Sequence, residues 1–332
     1  MATAMKITLS PEVQRKLVAV AVAAENDPSP ALDVAALAEL AGMSEKHFAR
    51  SFASALGESP KRYLRRIRLQ SAAYLLRWSD ASVRQIGQDA GFETPAGFTK
   101  AFTREYGRSP QAFRDDRDVV PYLRRKSAGA SARPIADDDA YEATRLSVRI
   151  ERVPERRIAF LRYVGPVEGM VQAWSPMRKW LKRHRLLHDQ AELLGIYHDY
   201  WDEGAEDRYR YDAAVVLPSP DAMSDDLRRS IDPTREVGPS DPELPITTRV
   251  LPGGPVAMTE FEGTIQEADR AWRRFMDQWL PASGYRPRCA FAYDRYPPTL
   301  LQRPRWSAIK ATLAGLRMTL CLPVSASGRV DP

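Results

Sequence analysis

Apolar positions divide the chain into two parts with different periods. Before Arg124 they recur at three- and four-residue steps, as in Val13, Leu17 and Val20, then Val34, Leu37 and Leu40, then Phe48, Phe52 and Leu56. That spacing lays an apolar stripe along each of a series of helices. After Arg145, short runs such as RIAFLRYVG, LLGIYHDYW, YDAAVVLP, PVAMTEFEG and RMTLCLPV alternate with longer helical patterns, which reads as α+β. The stretch between them, RRKSAGASARPIADDDAYEATR, has neither period and reads as a linker. The expected organisation is multidomain: an all-α domain over residues 8–120, a linker over 121–146 and an α+β domain over 147–324.

Each part contains an internal repeat. In the first, AGMSEKHFARSFASALGESPKRYLR (from Ala41) lies on AGFETPAGFTKAFTREYGRSPQAFR (from Ala90). After one inserted residue Phe48 falls on Phe98, Phe52 on Phe102, Gly57 on Gly107 and Ser59-Pro60 on Ser109-Pro110. Each copy predicts a short helix (34–41; 83–90), a glycine in a left-handed corner (Gly42; Gly91) and a second helix, the pattern of a helix-turn-helix. The paired phenylalanines turn inward, so positions 45, 46, 49 and 50, and 95, 96, 99 and 100, turn outward. Ser59 and Ser109 are expected N-caps with proline in the first helical position. The helix predicted from Pro60 to Trp78 is about 28 Å long. It would hold the two units near the ~34 Å between successive major grooves.

In the second part, RRIAFLRYVGPVEGMVQAWSPMRKWL (from Arg156) matches GPVAMTEFEGTIQEADRAWRRFMDQWL (from Gly254). Tyr163 falls on Phe261, Gly165 on Gly263 and Ala173-Trp174 on Ala271-Trp272. This predicts a duplicated strand-helix-strand-strand unit with a pseudo-two-fold axis and a groove at the seam, where ligands often bind.

Composition changes the picture in three places. No run of the 332 residues approaches the ~18 apolar residues of a spanning helix, and the first residues do not read as a secretory signal, so a cytoplasmic location without membrane partners is expected. Cys289, Cys321 and four histidines cannot make a disulfide framework or a four-ligand zinc site, so neither metal nor cofactor is expected. The net charge of +6 is confined to one part: residues 1–126 hold 20 Lys and Arg against 14 Asp and Glu, and residues 127–332 hold 29 of each. A basic domain beside a neutral one points to a polyanionic partner for the first alone.

The double helix-turn-helix with its linking helix, from about residue 8 to residue 117, resembles the DNA-binding domain of the AraC/XylS family of bacterial transcription regulators. The resemblance implies that the outward residues of the second helix in each unit read base edges. Here these are Lys46, Ala49 and Arg50, then Pro95, Ala96, Thr99 and Lys100, with Lys46, Arg50, Thr99 and Lys100 as the base-contact candidates. Arg50 matches guanine O6 and N7, a pairing that discriminates by ~1–3 kcal/mol. Arg62, Arg65, Arg66 and Arg68 are candidates for phosphate contacts or solvated charge. Pro95, Ala96 and Gly97 offer no side-chain donor, so the first unit is expected to supply most of the specificity.

Residues 147 to 324 resemble the GyrI-like (SOUL-type) effector-binding domain, on the phrases YVGPVEGMVQAW, GIYHDYW, RYDAAVVLP, YDRY and LRMTLCLPV. That resemblance implies a pocket for lipophilic, often cationic, small molecules, with an acid-X-Tyr pattern that falls on Asp294-Arg295-Tyr296, where glutamate is more usual. A carboxylate among aromatic rings attracts an organic cation, each ring adding ~0.5–2 kcal/mol. Tyr163, Trp174, Tyr197, Trp201, Phe261, Trp272 and Tyr293 are the cage candidates. The stretch PPTLLQRPRWSAIKATLAG, with three basic residues and a Trp, leaves an anionic or neutral aromatic ligand open.

Together these readings describe a sequence-specific transcription regulator with double-stranded DNA, a small-molecule effector and RNA polymerase as partners. One alternative makes the second domain a ligand-free interaction module. Another is a GyrI-like hydrolase using Asp294, Tyr293, His198 and Asp199. No nucleophile elbow, phosphate-binding glycine loop or metal motif accompanies those residues, so no enzyme is expected.

Overall fold

The computed structural model describes residues 9–115, 146–199, 209–232, 244–288, 291–302 and 315–326. All but the last residue of the expected linker lies outside these, as does Trp201. The helical part comprises α1 (Pro11–Asn26), α2 (Val34–Leu40), α3 (Glu45–Leu56), α4 (Pro60–Trp78), α5 (Val83–Asp89), α6 (Pro95–Tyr106) and α7 (Pro110–Asp115). Side chains of Ser10, Asp33, Ser59, Ser82 and Thr94 accept from the backbone N–H three residues on, and so cap α1, α2, α4, α5 and α6. Gly42 (φ +65°) and Gly91 (φ +81°) make the two corners, in a conformation that a Cβ disfavours.

Helix α4 belongs to two cores. Its first half gives Tyr63, Leu64 and Ile67 to a cluster with Leu17, Leu37, Phe48 and Phe52. Its second half gives Leu69, Ala72, Ala73 and Leu76 to a cluster with Ile86, Phe98, Phe102 and Phe113. Each helix-turn-helix unit therefore packs on its own end of one continuous 19-residue helix.

The second part is an all-antiparallel sheet with helices on one face, formed by β1 (Val148–Val153), β2 (Arg156–Gly165), α8 (Trp174–Arg183), β3 (Leu193–Tyr197), β4 (Tyr209–Val216), α9 (Asp225–Ile231), β5 (Thr247–Leu251), β6 (Gly254–Gly263), α10 (Ile265–Arg274), β7 (Tyr285–Pro287), β8 (Ala292–Tyr296) and β9 (Leu316–Ala326). The strand order is β1-β6-β9-β8-β3-β4-β2-β5, with β7 on β9. This is the duplication in three dimensions: β2-α8-β3-β4 and β6-α10-β8-β9 are equivalent units meeting at β3 and β8. The leading strands exchange, β1 pairing with β6 and β5 with β2, so neither half closes its sheet alone. In the central pair Gly195 faces Asp294, and Leu193 and Tyr197 face Tyr296 and Ala292. The pseudo-two-fold axis passes through the Gly195–Asp294 pair.

One sheet face buries Trp174, Met177, Trp272 and Phe275 from α8, α10 and its continuation. The other face, with Ile158, Phe160, Leu194, Ile196, Met258, Tyr293 and Cys321, is covered by Val18 and Val22 of α1. Strands β3 and β4 are thus buried on both faces, so β3 reads as an unbroken apolar run, while β4 carries Arg210 and Asp212 on the face toward α1. The two domains are docked through α1. Each covered valine contributes about 1.5–3 kcal/mol relative to exposure. The docked full chain is expected to unfold in one calorimetric transition, and Val22→Asp, which sets a carboxylate against the apolar sheet, is expected to split it into two. A single transition at the wild-type temperature would contradict this docking.

Candidate nucleic-acid interface and ligand site

In α3 and α6 the phenylalanines Phe48, Phe52, Phe98 and Phe102 are almost fully buried. Lys46, Arg50 and Lys100 are exposed, and Thr99 is half-buried. Helices α3 and α6 therefore expose the faces expected to turn outward. Close approach of α6 to α5 depends on Gly87, where a Cβ would stand 2.9 Å from the Phe98 ring. The four arginines of α4 divide. Arg62 and Arg65 are exposed. Arg68 folds back to donate to the carbonyls of Pro28 (3.2 Å), Ser29 (3.0 Å) and Leu32 (2.9 Å). Arg66 is buried between Glu58 and Asp199. The sequence expectation for Arg66 and Arg68 is thereby corrected: docking of the sheet buries Arg66 against Asp199, which ties the domains together, and half-buried Arg68 is taken up by the loop between α1 and α2.

Asp294 sits at the middle of the sheet, 1% exposed, on the helix-covered face. Its Oδ2 accepts from the hydroxyls of Tyr197 and Tyr296 (3.0 Å for the latter), and its Oδ1 accepts from Trp272 Nε1 at 3.0 Å. Burial outweighs these three donors and pushes the carboxyl up to about 6. Trp174, the repeat counterpart of Trp272, donates instead to Tyr211 Oη at 2.8 Å. Gly195 makes this possible, because a Cβ there would lie 2.3 Å from that hydroxyl. The rings around the acid are thus Trp174, Tyr197, Tyr211, Trp272 and Tyr296. Tyr296 also lines an open cleft of about 900 Å3 with Phe261, Met318 and Arg317. Phe261 is buried in the same cluster, and half-buried Tyr163 donates to Pro166 O at 2.8 Å.

Tyr293 departs from the expected cage. Strand alternation puts it on the opposite face from Asp294, where Arg156 donates to its hydroxyl at 3.0 Å. His198 and Asp199, considered above for acid–base chemistry, also lie away from Asp294, in the contact between the domains. There Glu25 of α1 accepts from Arg162 (2.8 and 3.2 Å), Arg210 (2.8 Å) and Tyr63 (2.5 Å). Asp199 accepts from Arg210 (2.6 Å), Arg66 (3.0 Å) and Gln70 (2.7 Å). Asp212 pairs with Arg162 and lies 2.7 Å from His198 Nε2. Burial alone would raise the Glu25 carboxyl, but Arg162 and Arg210 hold it well below the usual range. Asp212 is held at about 2 against the same burial by Arg162 and His198. Burial and the neighbouring Arg162 lower the His198 imidazole, favouring its neutral form.

Residues 37–116 match the family model for a helix-turn-helix domain, and residues 146–300 that for a GyrI-like small molecule binding domain. The chain joins an AraC-type helix-turn-helix domain to a GyrI-like domain. Among curated relatives, it is 46% identical over 78 residues to an uncharacterized HTH-type transcriptional regulator of Haemophilus influenzae, covering 24% of this chain and 26% of that protein. It is 40% identical over 86 residues to the HTH-type transcriptional activator RhaS of Salmonella arizonae, covering 26% of this chain and 31% of the relative. These matches span well under two thirds of the relatives' length. Among solved structures, the DNA-binding domain of AdpA in complex with a target DNA aligns with a TM-score of 0.29 at 33% identity, over 34% of this chain and 98% of that one.

Within the GyrI-like half, two of the rings beside Asp294, Tyr211 and Tyr296, are not among the aromatic residues that the sequence singles out. Tyr296 carried a usable signal, since it lies two positions from Asp294 and must share its face. Tyr211 carried none, because its place opposite Tyr197, with its hydroxyl over Gly195, depends on the β3–β4 register. Among the described residues no helix is long and apolar enough to cross a membrane, and no cluster of three or more His, Cys, Asp or Glu residues could hold a metal ion.

A carboxyl whose pKa rises on folding stabilises the fold below its unfolded pKa and loses that contribution as pH climbs through the folded value. Relative to Asp294→Asn, the wild-type protein is therefore expected to lose on the order of 2–3 kcal/mol of unfolding free energy between pH 4 and pH 7. Denaturant unfolding at stepped pH measures it. A difference that stays flat over that window would contradict the buried-acid description.

Proposed function

We propose that this protein is a one-component transcription regulator: the AraC-type domain binds DNA sequence-specifically, and the GyrI-like domain senses a lipophilic small molecule, a cation in the first instance. The observation that carries this reading is the buried Asp294 carboxylate ringed by Trp174, Tyr197, Tyr211, Trp272 and Tyr296, in a domain docked on a double helix-turn-helix. Arg50 and Lys46 would read bases in one major groove. Thr99 and Lys100 would sit in the next, with Arg62 and Arg65 on phosphates. RNA polymerase is the natural further partner of such a regulator, and we assign it no catalytic step.

A route from ligand to DNA is built into the chain order. Tyr197 donates to Asp294, and the next two residues, His198 and Asp199, hold the network that grips α1 and α4. A cation that takes over from Tyr197 at Asp294 pulls on the strand end carrying those two residues. The second reading, a GyrI-like domain without a ligand, is favoured by the complete set of donors that Asp294 already has.

Two experiments test the proposal. On sites selected from random DNA, Arg50→Ala is expected to cost about 1–3 kcal/mol and to relax one base position. Lys100→Ala should weaken all sites more evenly; equal loss of base preference from both variants would count against the division of labour. For the effector, tetraphenylphosphonium is expected to raise the melting temperature of wild type and not of Asp294→Asn. Because the acid must ionise to pair with it, the affinity should rise about tenfold from pH 5 to pH 7. No stabilisation by this or related cations would favour the ligand-free reading.

A further inference from the structure

Between the two domains, on the sheet face away from Asp294, lies a second cleft of about 500 Å3. That volume is within the range of small-molecule sites. Its walls come from both domains: the end of α1 (Glu25, Asn26), α4 (Ile67, Ser71), β5 (Arg249) and Phe291. The side chain of Arg249 is only 7% exposed. Its Nη2 donates to Asn26 Oδ1 at 3.1 Å, but its Nε and Nη1 are buried and have no hydrogen-bond partner among the described residues.

The nearby carboxylate does not meet this need. Glu25 Oε2 stands 3.9 Å from Arg249 Nη1, beyond hydrogen-bonding range, and the carboxylate is already taken by Arg162, Arg210 and Tyr63. Arg210, which also lines the cleft, directs its donors to Asp199, Glu25 and Gln70. Arg249 is therefore a buried guanidinium short of acceptors, a state that costs free energy until an anion supplies them. Its guanidinium lies 5.6 Å from the Phe291 ring centroid, so the charge is flanked by an apolar surface continued by Ile67.

We propose that this cleft binds a small organic carboxylate, with the anion on Arg249 and an apolar body against Phe291 and Ile67. Such a ligand touches both domains and so favours the docked arrangement over a separated one. The site is independent of Asp294, lies on the opposite face of the sheet and selects the opposite charge.

Calorimetric titration of the full chain with benzoate and with its neutral counterpart benzamide tests the assignment. Benzoate is expected to bind and benzamide not, Arg249→Gln is expected to lose at least tenfold in benzoate affinity, and Asp294→Asn is expected to retain it. If Arg249→Gln does not fold, Ser71→Trp, which fills the cleft from α4, should block benzoate instead. Benzoate bound equally by either cleft variant, no preference over benzamide, or no binding by wild type would each overturn the proposal.

Discussion

Glu25 is one carboxylate on the first helix, yet the arrangement of the whole molecule depends on where its charge goes. It is buried against Arg162 and Arg210 of the sheet, and removing ions of that size from water costs several kcal/mol each. Only the complete set of partners offsets that cost. Asp212 and His198 complete Arg162, while Asp199, Gln70 and Arg66 complete Arg210 and extend the contact to α4. The valines of α1 bring apolar area to the same contact. An ion network of this kind adds less to stability than a matched apolar patch would, but it tolerates one geometry and penalises every other.

That fixed geometry gives the central strands two roles. One face of β3 and β8 holds the ring of tyrosines and tryptophans around Asp294, and the other carries the DNA-binding domain. The duplicated sheet places Asp294 on the pseudo-axis opposite a glycine. Symmetry at that point is broken by necessity, since the side chain that would face Asp294 has been removed to admit Tyr211. The acid is left neutral or charged according to its surroundings near pH 6, and the strand that contacts it runs directly into the interdomain network.

The parts legible in the sequence are those set by local period. The two phenylalanine pairs, the corner glycines, the proline-started linking helix and the second repeat all have short-range causes, and the structure realises each. What was hidden depended on long-range pairing. Val18 and Val22 make α1 apolar on a second side, a hint of burial on both sides, but nothing local says that a sheet provides the cover. Arg66 and Asp199, 133 residues apart, meet only through docking. Around Asp294, Trp272 and Tyr197 stand where the aromatic candidates were expected, whereas the two-residue alternation of the strand gives this face to Tyr296 and not to Tyr293.

The central claim is that Glu25 and Arg210 lock the domains together, and a double-mutant cycle measures it most directly. Unfolding free energies of wild type, Glu25→Gln, Arg210→Met and the double variant give the coupling between the two side chains. The account predicts a coupling of about 2–3 kcal/mol, with the double variant losing less than the sum of the two single losses by that amount. Additive losses, with no coupling beyond about 0.5 kcal/mol, would contradict it.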